Sequence, residues 1–245
     1  MGEKTFSGQV ALMSFFQFYG RNRLWAMRQV VKMPDRLRQQ KGILFFKTLG
    51  TSGGLGCMGS LNFKQGALLT VWPSADDALD FYWNSNIMDD YRLKSSEDYS
   101  VLLRPVRSGK KWAGSDVFEP QAMLPEKYPI AILSRARSKL RLLLPFRLRM
   151  CGVSRSAKDC RGPLFSRGVG ERPRIHESTF SIWESMEALK RYAYGEDNNH
   201  QVAVKASRKD NEFKEALYAA FQVTGHRGTI KGINPLDKIK TPSLL

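Results

Sequence analysis

Two stretches of the chain carry the same order of apolar and polar positions. The apolar run Ala67-Leu-Leu-Thr-Val-Trp72 ends in tryptophan, turns at Pro73-Ser74, and continues to Trp83 with apolar residues at helical spacing. Ser178-Thr-Phe-Ser-Ile-Trp183 likewise ends in tryptophan and leads into Glu184–Tyr194, again with helical periodicity. Each stretch predicts a strand, a short turn and an amphipathic helix. Outward from these anchors the parallel continues. Phe45–Gly50 matches Leu164–Val169, Tyr99–Arg104 matches Leu217–Val223, and Leu12–Phe18 matches Ile130–Arg137 as the opening strand of each half. Gly-rich turns are expected at Gly54 and Gly56 and at Gly168 and Gly170, with further turns at Ser108-Gly109 and Thr224-Gly225.

The pattern predicts a duplication, each half reading β-α-β-β-α-β, the ferredoxin-like unit. Three prolines between Glu119 and Pro129 mark a linker, dividing the chain into residues 1–120 and 121–245. A four-stranded antiparallel sheet with helices on one face leaves its other face to be covered. The expected fold is therefore α+β: two tandem ferredoxin-like units with sheets packed face to face, forming an α+β barrel within one chain.

At 245 residues, 42% hydrophobic and 25% charged, the chain has material for a sizeable core and lacks the composition of a disordered protein. Three cysteines, Cys57, Cys151 and Cys160, show no C-x-x-C spacing, which argues against a disulfide framework or zinc ribbon and fits a reducing, cytoplasmic compartment. No apolar run is long enough to span a bilayer, and Val10–Phe18 lacks the flanks of a signal peptide, so it reads as the first strand. Net charge changes the picture more. It is +16 overall, and Ser134–Ile175 holds twelve Lys or Arg against Asp159 and Glu171. Such a block is either a solvated face or an attractor of anionic surfaces. Within it, Leu140–Met150 mixes leucines with arginines around Pro145, which excludes an unbroken helix. That composition suits an anionic membrane surface better than nucleic acid, since neither a recognition helix nor an RNP1 aromatic strand is present.

Candidate chemistry is sparse. No zinc spacing, Ser-His-Asp order or carboxylate pair stands out, so no catalytic residue is assigned. The glycine turns lack the context of a phosphate loop. Of three histidines, His226 in Gly225-His-Arg-Gly228 reads as an exposed turn residue. His176 shares a strand face with Ser178, Phe180 and Ile182, as a structural or a pocket residue. His200 follows Asp197-Asn-Asn199, which can cap a helix.

The block Gly168-Val-Gly-Glu-Arg-Pro173 with His176 and Thr179-Phe-Ser-Ile-Trp183 resembles the spheroidene monooxygenase family of haem-containing carotenoid ketolases. Lys47–Gly56, Leu69-Thr-Val-Trp-Pro73, Pro129-Ile-Ala-Ile-Leu-Ser-Arg-Ala136, His200, Glu215–Tyr218, Phe221, Gly228-Thr229 and Asn234-Pro235-Leu236 extend the resemblance over most of the chain. Glu212 and Ala220 depart from the family pattern, which usually has an aromatic residue and an arginine there, and so does the strong basic excess. The resemblance implies the α+β barrel superfamily and a haem-dependent monooxygenase that oxidises a long, apolar, carotenoid-like substrate with O₂. It implies His200 as the axial ligand of haem iron on a helix beside an open sheet face, with His176 as the other pocket histidine. Arg135 and Arg167, in family-like blocks, are candidates for the haem carboxylates, with ordinary surface ion pairs as the alternative. An electron donor such as a ferredoxin and an anionic membrane surface are the implied partners, with peripheral attachment to the membrane. A haem-binding or carrier barrel without oxygenase activity is the alternative function.

Overall fold

The computed structural model describes residues 8–52, 61–109, 111–112, 114–125, 127–138, 163–171, 176–194, 213–237 and 239. Gly54, Gly56, the three cysteines, the stretch 139–162 of the basic block, His200 and Glu212 lie outside the described residues.

Eight strands form one closed antiparallel barrel: β1 (Val10–Gln17), β2 (Phe45–Ser52), β3 (Leu61–Trp72), β4 (Glu97–Gly109), β5 (Ile130–Ser138), β6 (Phe165–Gly170), β7 (His176–Trp183) and β8 (Phe213–Gly228). Their order around the barrel is β1-β3-β2-β6-β7-β5-β8-β4. The first half thus contributes β2-β3-β1-β4 and the second β6-β7-β5-β8, the same order twice. Four helices occur among the described residues: α1 (Asn22–Arg38), α2 (Ala75–Asn84), α3 (Asn86–Lys94) and α4 (Met186–Tyr194).

Strand alternation divides the apolar residues into an inner and an outer set. Ala11, Met13, Phe15, Leu69, Tyr99, Leu133, Phe165, Phe180 and Phe221 fill the barrel. Its centre is aromatic, with the Phe15 ring 5.1 Å from Phe165 and 5.7 Å from Phe180. Val10, Leu12, Phe16, Leu68 and Trp72 face outward under α1, α2 and α3. Burial on both faces is why β1 reads as a continuous apolar run rather than an alternating one.

The parallel between the halves extends to single atoms. Trp72 Nε1 donates to Thr70 Oγ1 at 2.8 Å, and Trp183 Nε1 donates to Ser181 Oγ at 2.9 Å. Ser74 caps α2 by accepting from the Asp77 amide, and Ser185 accepts from the Ala188 amide at the start of α4. Trp72 packs on Phe81 at 4.9 Å and Trp183 on Tyr192 at 4.7 Å.

The two sheets face each other across the interior, where Phe15 meets Phe165 and Phe180, and they also join edge to edge into the expected barrel; three expected turns need correction. β4 and β8 pair over ten registered positions, and β2 and β6 over three, Gly50↔Gly170, Thr51↔Val169 and Ser52↔Gly168. Closure pairs the edge N–H and C=O groups that two separate sheets would leave open. Gly168 and Gly170 belong to a strand, not a turn. A Cβ at Gly168 would overlap Ser52 Oγ, so glycine there lets the shorter seam close. Ser108-Gly109 and Thr224-Gly225 likewise lie within β4 and β8.

Beyond β8 the chain turns back around Glu97. Its carboxylate accepts from the Lys231 amide at 2.7 Å, the Thr229 hydroxyl at 3.1 Å and the Gly232 amide. Lys231 and Gly232 hold positive φ of 55° and 71°, which aims consecutive amides at one anion.

Candidate functional site

The outer faces of the two half-barrels differ in their cover and, at equivalent positions, moderately in side-chain size: the first-half rows Phe46–Thr70–Leu12–Leu102 and Thr48–Leu68–Ser14–Ser100 hold four Ser or Thr among eight. On the first half, Leu12, Phe16, Leu68, Trp72 and Leu102 meet three helices. On the second half, register sets out two rows across β6, β7, β5 and β8. One is Ser166, Ser181, Ile132 and Ala220; the other is Gly168, Thr179, Ser134 and Tyr218. Six of these eight residues are Gly, Ala, Ser or Thr. Among the described residues α4 is the one helix on this face, where Met186, Leu189 and Tyr192 pack on the cluster of Ile130, Ile132, Trp183 and Ala220. Tyr218 remains 40% exposed. The Ser166 hydroxyl is buried with no hydrogen-bond partner, a polar atom suited to a bound group. A shallow face of small residues with an unused hydroxyl suits a flat, mainly apolar ligand. Ala220, one of the departures from the family pattern, lies in this face.

Arg135 and Arg167 lie on the opposite face. Arg135 is buried inside the barrel, its guanidinium 5.2 Å from the centre of the Trp112 ring. Trp112 donates to Glu171 Oε1 at 2.7 Å and meets Phe45 edge-on at 5.3 Å, while Lys47 Nζ stands 3.5 Å from the same carboxylate oxygen. Lys47 and Glu171 also line a groove of about 600 Å³ between α1 and β2, together with Val30, Pro34, Leu44 and Phe45. Arg167 donates to Gln65 Oε1 at 3.2 Å and to the Ser166 carbonyl at 2.9 Å, and lies 5.2 Å from the Phe165 ring centre. Burial pushes its pKa below the usual arginine range. Neither arginine is an exposed ion-pair residue. The rows Val169–Ser178–Arg135 and Arg167–Phe180–Leu133 set the two guanidinium-bearing residues two strands apart and one inward position out of step.

The histidines separate clearly. His176 begins β7, in register with Arg137 and on the same parity as inward-facing Ser178 and Phe180. His200 lies in the stretch between α4 and β8, outside the described residues. His226 is not an exposed turn residue. It pairs with Val101 inside β8, is buried, and shares the inward side of that core residue. The turn reading missed it because flanking glycines normally signal a loop, whereas here they allow a bulged strand to bend. Ser166 and Ser181 were also missed as site residues, since small strand residues carry no chemical signal until register assembles them.

Comparison with known proteins gives a consistent pattern. No family model matches the chain. It is 32% identical over 234 residues to spheroidene monooxygenase of Cereibacter sphaeroides, covering 95% of this chain and 72% of that protein. The spheroidene monooxygenase of Rhodobacter capsulatus is 29% identical over 231 residues, covering 93% and 95%. That of Rubrivivax gelatinosus is 28% identical over 230 residues, covering 93% and 87%. Among solved structures, an aldoxime dehydratase superposes with a TM-score of 0.56 at 13% identity, covering 91% of this chain and 87% of the other. A second aldoxime dehydratase, in complex with butyraldoxime, gives 0.52 at 12% identity over 88% and 80%. At such identity these two report the fold alone.

Proposed function

This chain belongs to the spheroidene monooxygenase family, an assignment that makes it an oxidative enzyme, and we propose that it is a haem-dependent monooxygenase acting on a long, apolar, carotenoid-like substrate. The observation that carries the reading is the outer face of β6-β7-β5-β8, whose small side chains and partnerless Ser166 hydroxyl fit a flat apolar group. Bound haem supplies the one-electron and O₂ chemistry that amino-acid side chains lack. In the overall reaction one oxygen atom enters the substrate and the other leaves as water. Two electrons come, one at a time, from an external donor such as a ferredoxin, and two protons come from solvent.

The chain's own contribution is binding and orientation. Ser166, Thr179 and Ser134 offer hydroxyls along the face and Tyr218 an exposed ring, while Ile132 and Ala220 are covered by α4 and bound the site on that side. His200 is the residue proposed to hold the haem iron. His176, at the start of β7, is the second candidate. Arg135 and Arg167, the candidates for the haem carboxylates, both start from the inner face, Arg135 buried and Arg167 half-buried. We also take residues 1–120 and 121–245 as tandem ferredoxin-like halves. The repeated strand order, the paired Trp–hydroxyl bonds and the paired serine caps support this reading.

The visible spectrum of the purified protein tests the haem assignment. A Soret band that is lost in His200→Ala and kept in His226→Ala and His176→Ala supports it. A protein that takes up no haem refutes it, and loss of the band only in His176→Ala moves the ligand to β7. Turnover of a carotenoid with O₂ and reductant separates the oxygenase from a non-catalytic haem carrier.

A further inference from the structure

Helix α1 exposes more apolar surface than its place on the barrel requires. Of the eleven large hydrophobic residues exposed among the described ones, four lie on this helix: Leu24, Met27, Val30 and Val31, the last 78% exposed. Tyr19 precedes the helix, Leu93 adjoins its start, where the Asn22 side chain bonds the Lys94 carbonyl, and Leu44 lies beside Val30 in the groove. The buried side of α1 is Gln29, Met33 and Leu37, spaced i, i+4, i+8. Leu24, Met27 and Val31 therefore run along the opposite side, away from the barrel. Arg28 and Lys32 flank that stripe, and α1 holds five basic residues against the single acid Asp35. Its first turn contains no acid and its N-cap, Arg21, makes no side-chain cap bond. Arginines at 21 and 23 thus stand at the positive end of the helix dipole, an arrangement unfavourable in water and relieved by nearby anions.

We propose that α1 is a docking helix that seats the protein on an anionic membrane surface, with Leu24, Met27 and Val31 entering the acyl boundary and Arg21, Arg28 and Lys32 meeting lipid phosphates. No helix among the described residues is long and apolar enough to cross a membrane, so the contact is interfacial. Charge argues against a second copy of the chain as the occupant. A two-fold contact through this stripe would set Arg28 and Lys32 against the same residues of the other copy, in a chain carrying +16 overall. An anionic bilayer complements both the stripe and its flanks. The inference is independent of the reaction assigned above, because docking requires neither haem nor substrate.

Co-sedimentation of the full chain with vesicles tests it, using phosphatidylcholine alone or mixed with phosphatidylglycerol. The wild-type protein should bind the mixed vesicles and lose affinity as salt rises. Met27→Glu with Val31→Glu should weaken binding at least tenfold while circular dichroism and melting stay unchanged, since both positions are exposed. Arg28→Gln with Lys32→Gln should lose roughly thirtyfold on mixed vesicles, about fivefold for each basic residue at the surface. A tryptophan introduced by Val31→Trp should be quenched by brominated lipid. The proposal is overturned if the wild type ignores anionic vesicles, if the Glu pair binds equally well, or if the introduced tryptophan is not quenched. It is equally overturned if ultracentrifugation shows a dimer that the Glu pair dissolves while vesicle binding is absent.

Discussion

Two glycines at the two closures of the barrel should respond differently to the same substitution. Gly168 lies at the β2–β6 seam, where an added Cβ would overlap Ser52 Oγ and come within 3.4 Å of Ser52 Cβ. The first obstacle is a hydroxyl on one rotatable bond. Turning it aside costs about 1 kcal/mol. Loss of glycine's freedom in the unfolded chain returns about 0.4–1 kcal/mol. Gly168→Ala should therefore destabilise by no more than about 1 kcal/mol, and adding Ser52→Ala should bring the protein back to wild-type stability. Gly228 lies at the β4–β8 closure with φ of +87°, and an added Cβ would overlap the Asp98 carbonyl oxygen and come within 3.0 Å of its carbon. That oxygen already accepts from the Thr229 amide at 2.9 Å. Left-handed backbone costs about 1–2 kcal/mol, the lost hydrogen bond about 1, and main-chain overlap has no rotamer to relieve it. Gly228→Ala should cost about 3–4 kcal/mol, a fall in Tm of roughly 10 °C for a chain of this size. Calorimetry or thermal circular dichroism on the four proteins measures both numbers. Equal losses at the two glycines, or no recovery on adding Ser52→Ala, would refute the assignment of Ser52 and Asp98 as the atoms that make glycine necessary.

Other outcomes follow from the same structure. Glu97→Ala removes the acceptor of two amides and a hydroxyl at the turn after β8, and should cost about 2 kcal/mol by urea unfolding; a loss below about 0.5 kcal/mol would show that the turn holds without it. Asp98 has its pKa raised by burial, against the pull of Arg92, Arg227 and the Tyr82 hydrogen bond. A raised carboxyl favours the fold while protonated, and that contribution fades as pH climbs from the unfolded value near 3.8 through the folded one. The Tm of Asp98→Asn relative to wild type should therefore rise across that window, and a flat or falling difference contradicts the sign. Trp72→Phe and Trp183→Phe each remove one buried indole N–H bond to a hydroxyl, so their unfolding costs should agree at about 1–2 kcal/mol; a gap above about 1 kcal/mol would break the parallel between the halves.

What the sequence determined on its own was local and repeated. Apolar stretches ending in Trp72 and Trp183 marked strands, helical spacing after the turn that follows each tryptophan marked helices, and their recurrence at matching distances marked two halves. Those signals are legible because each depends on neighbours a few residues away. The family motifs were legible for the same reason. Tertiary structure decided the rest. Alternation names two faces for a strand and cannot say which one is enclosed, so Arg135 became a core residue, and Arg167 a half-buried one on the same inner side, only when the barrel closed around them. His226 reads as a turn until Val101, from the other half of the chain, pairs with it. The small-residue face exists only where β6, β7, β5 and β8 lie side by side in register. Pairing between distant strands is fixed by the need to satisfy every edge N–H and C=O at once, a condition on the whole barrel that no single segment records.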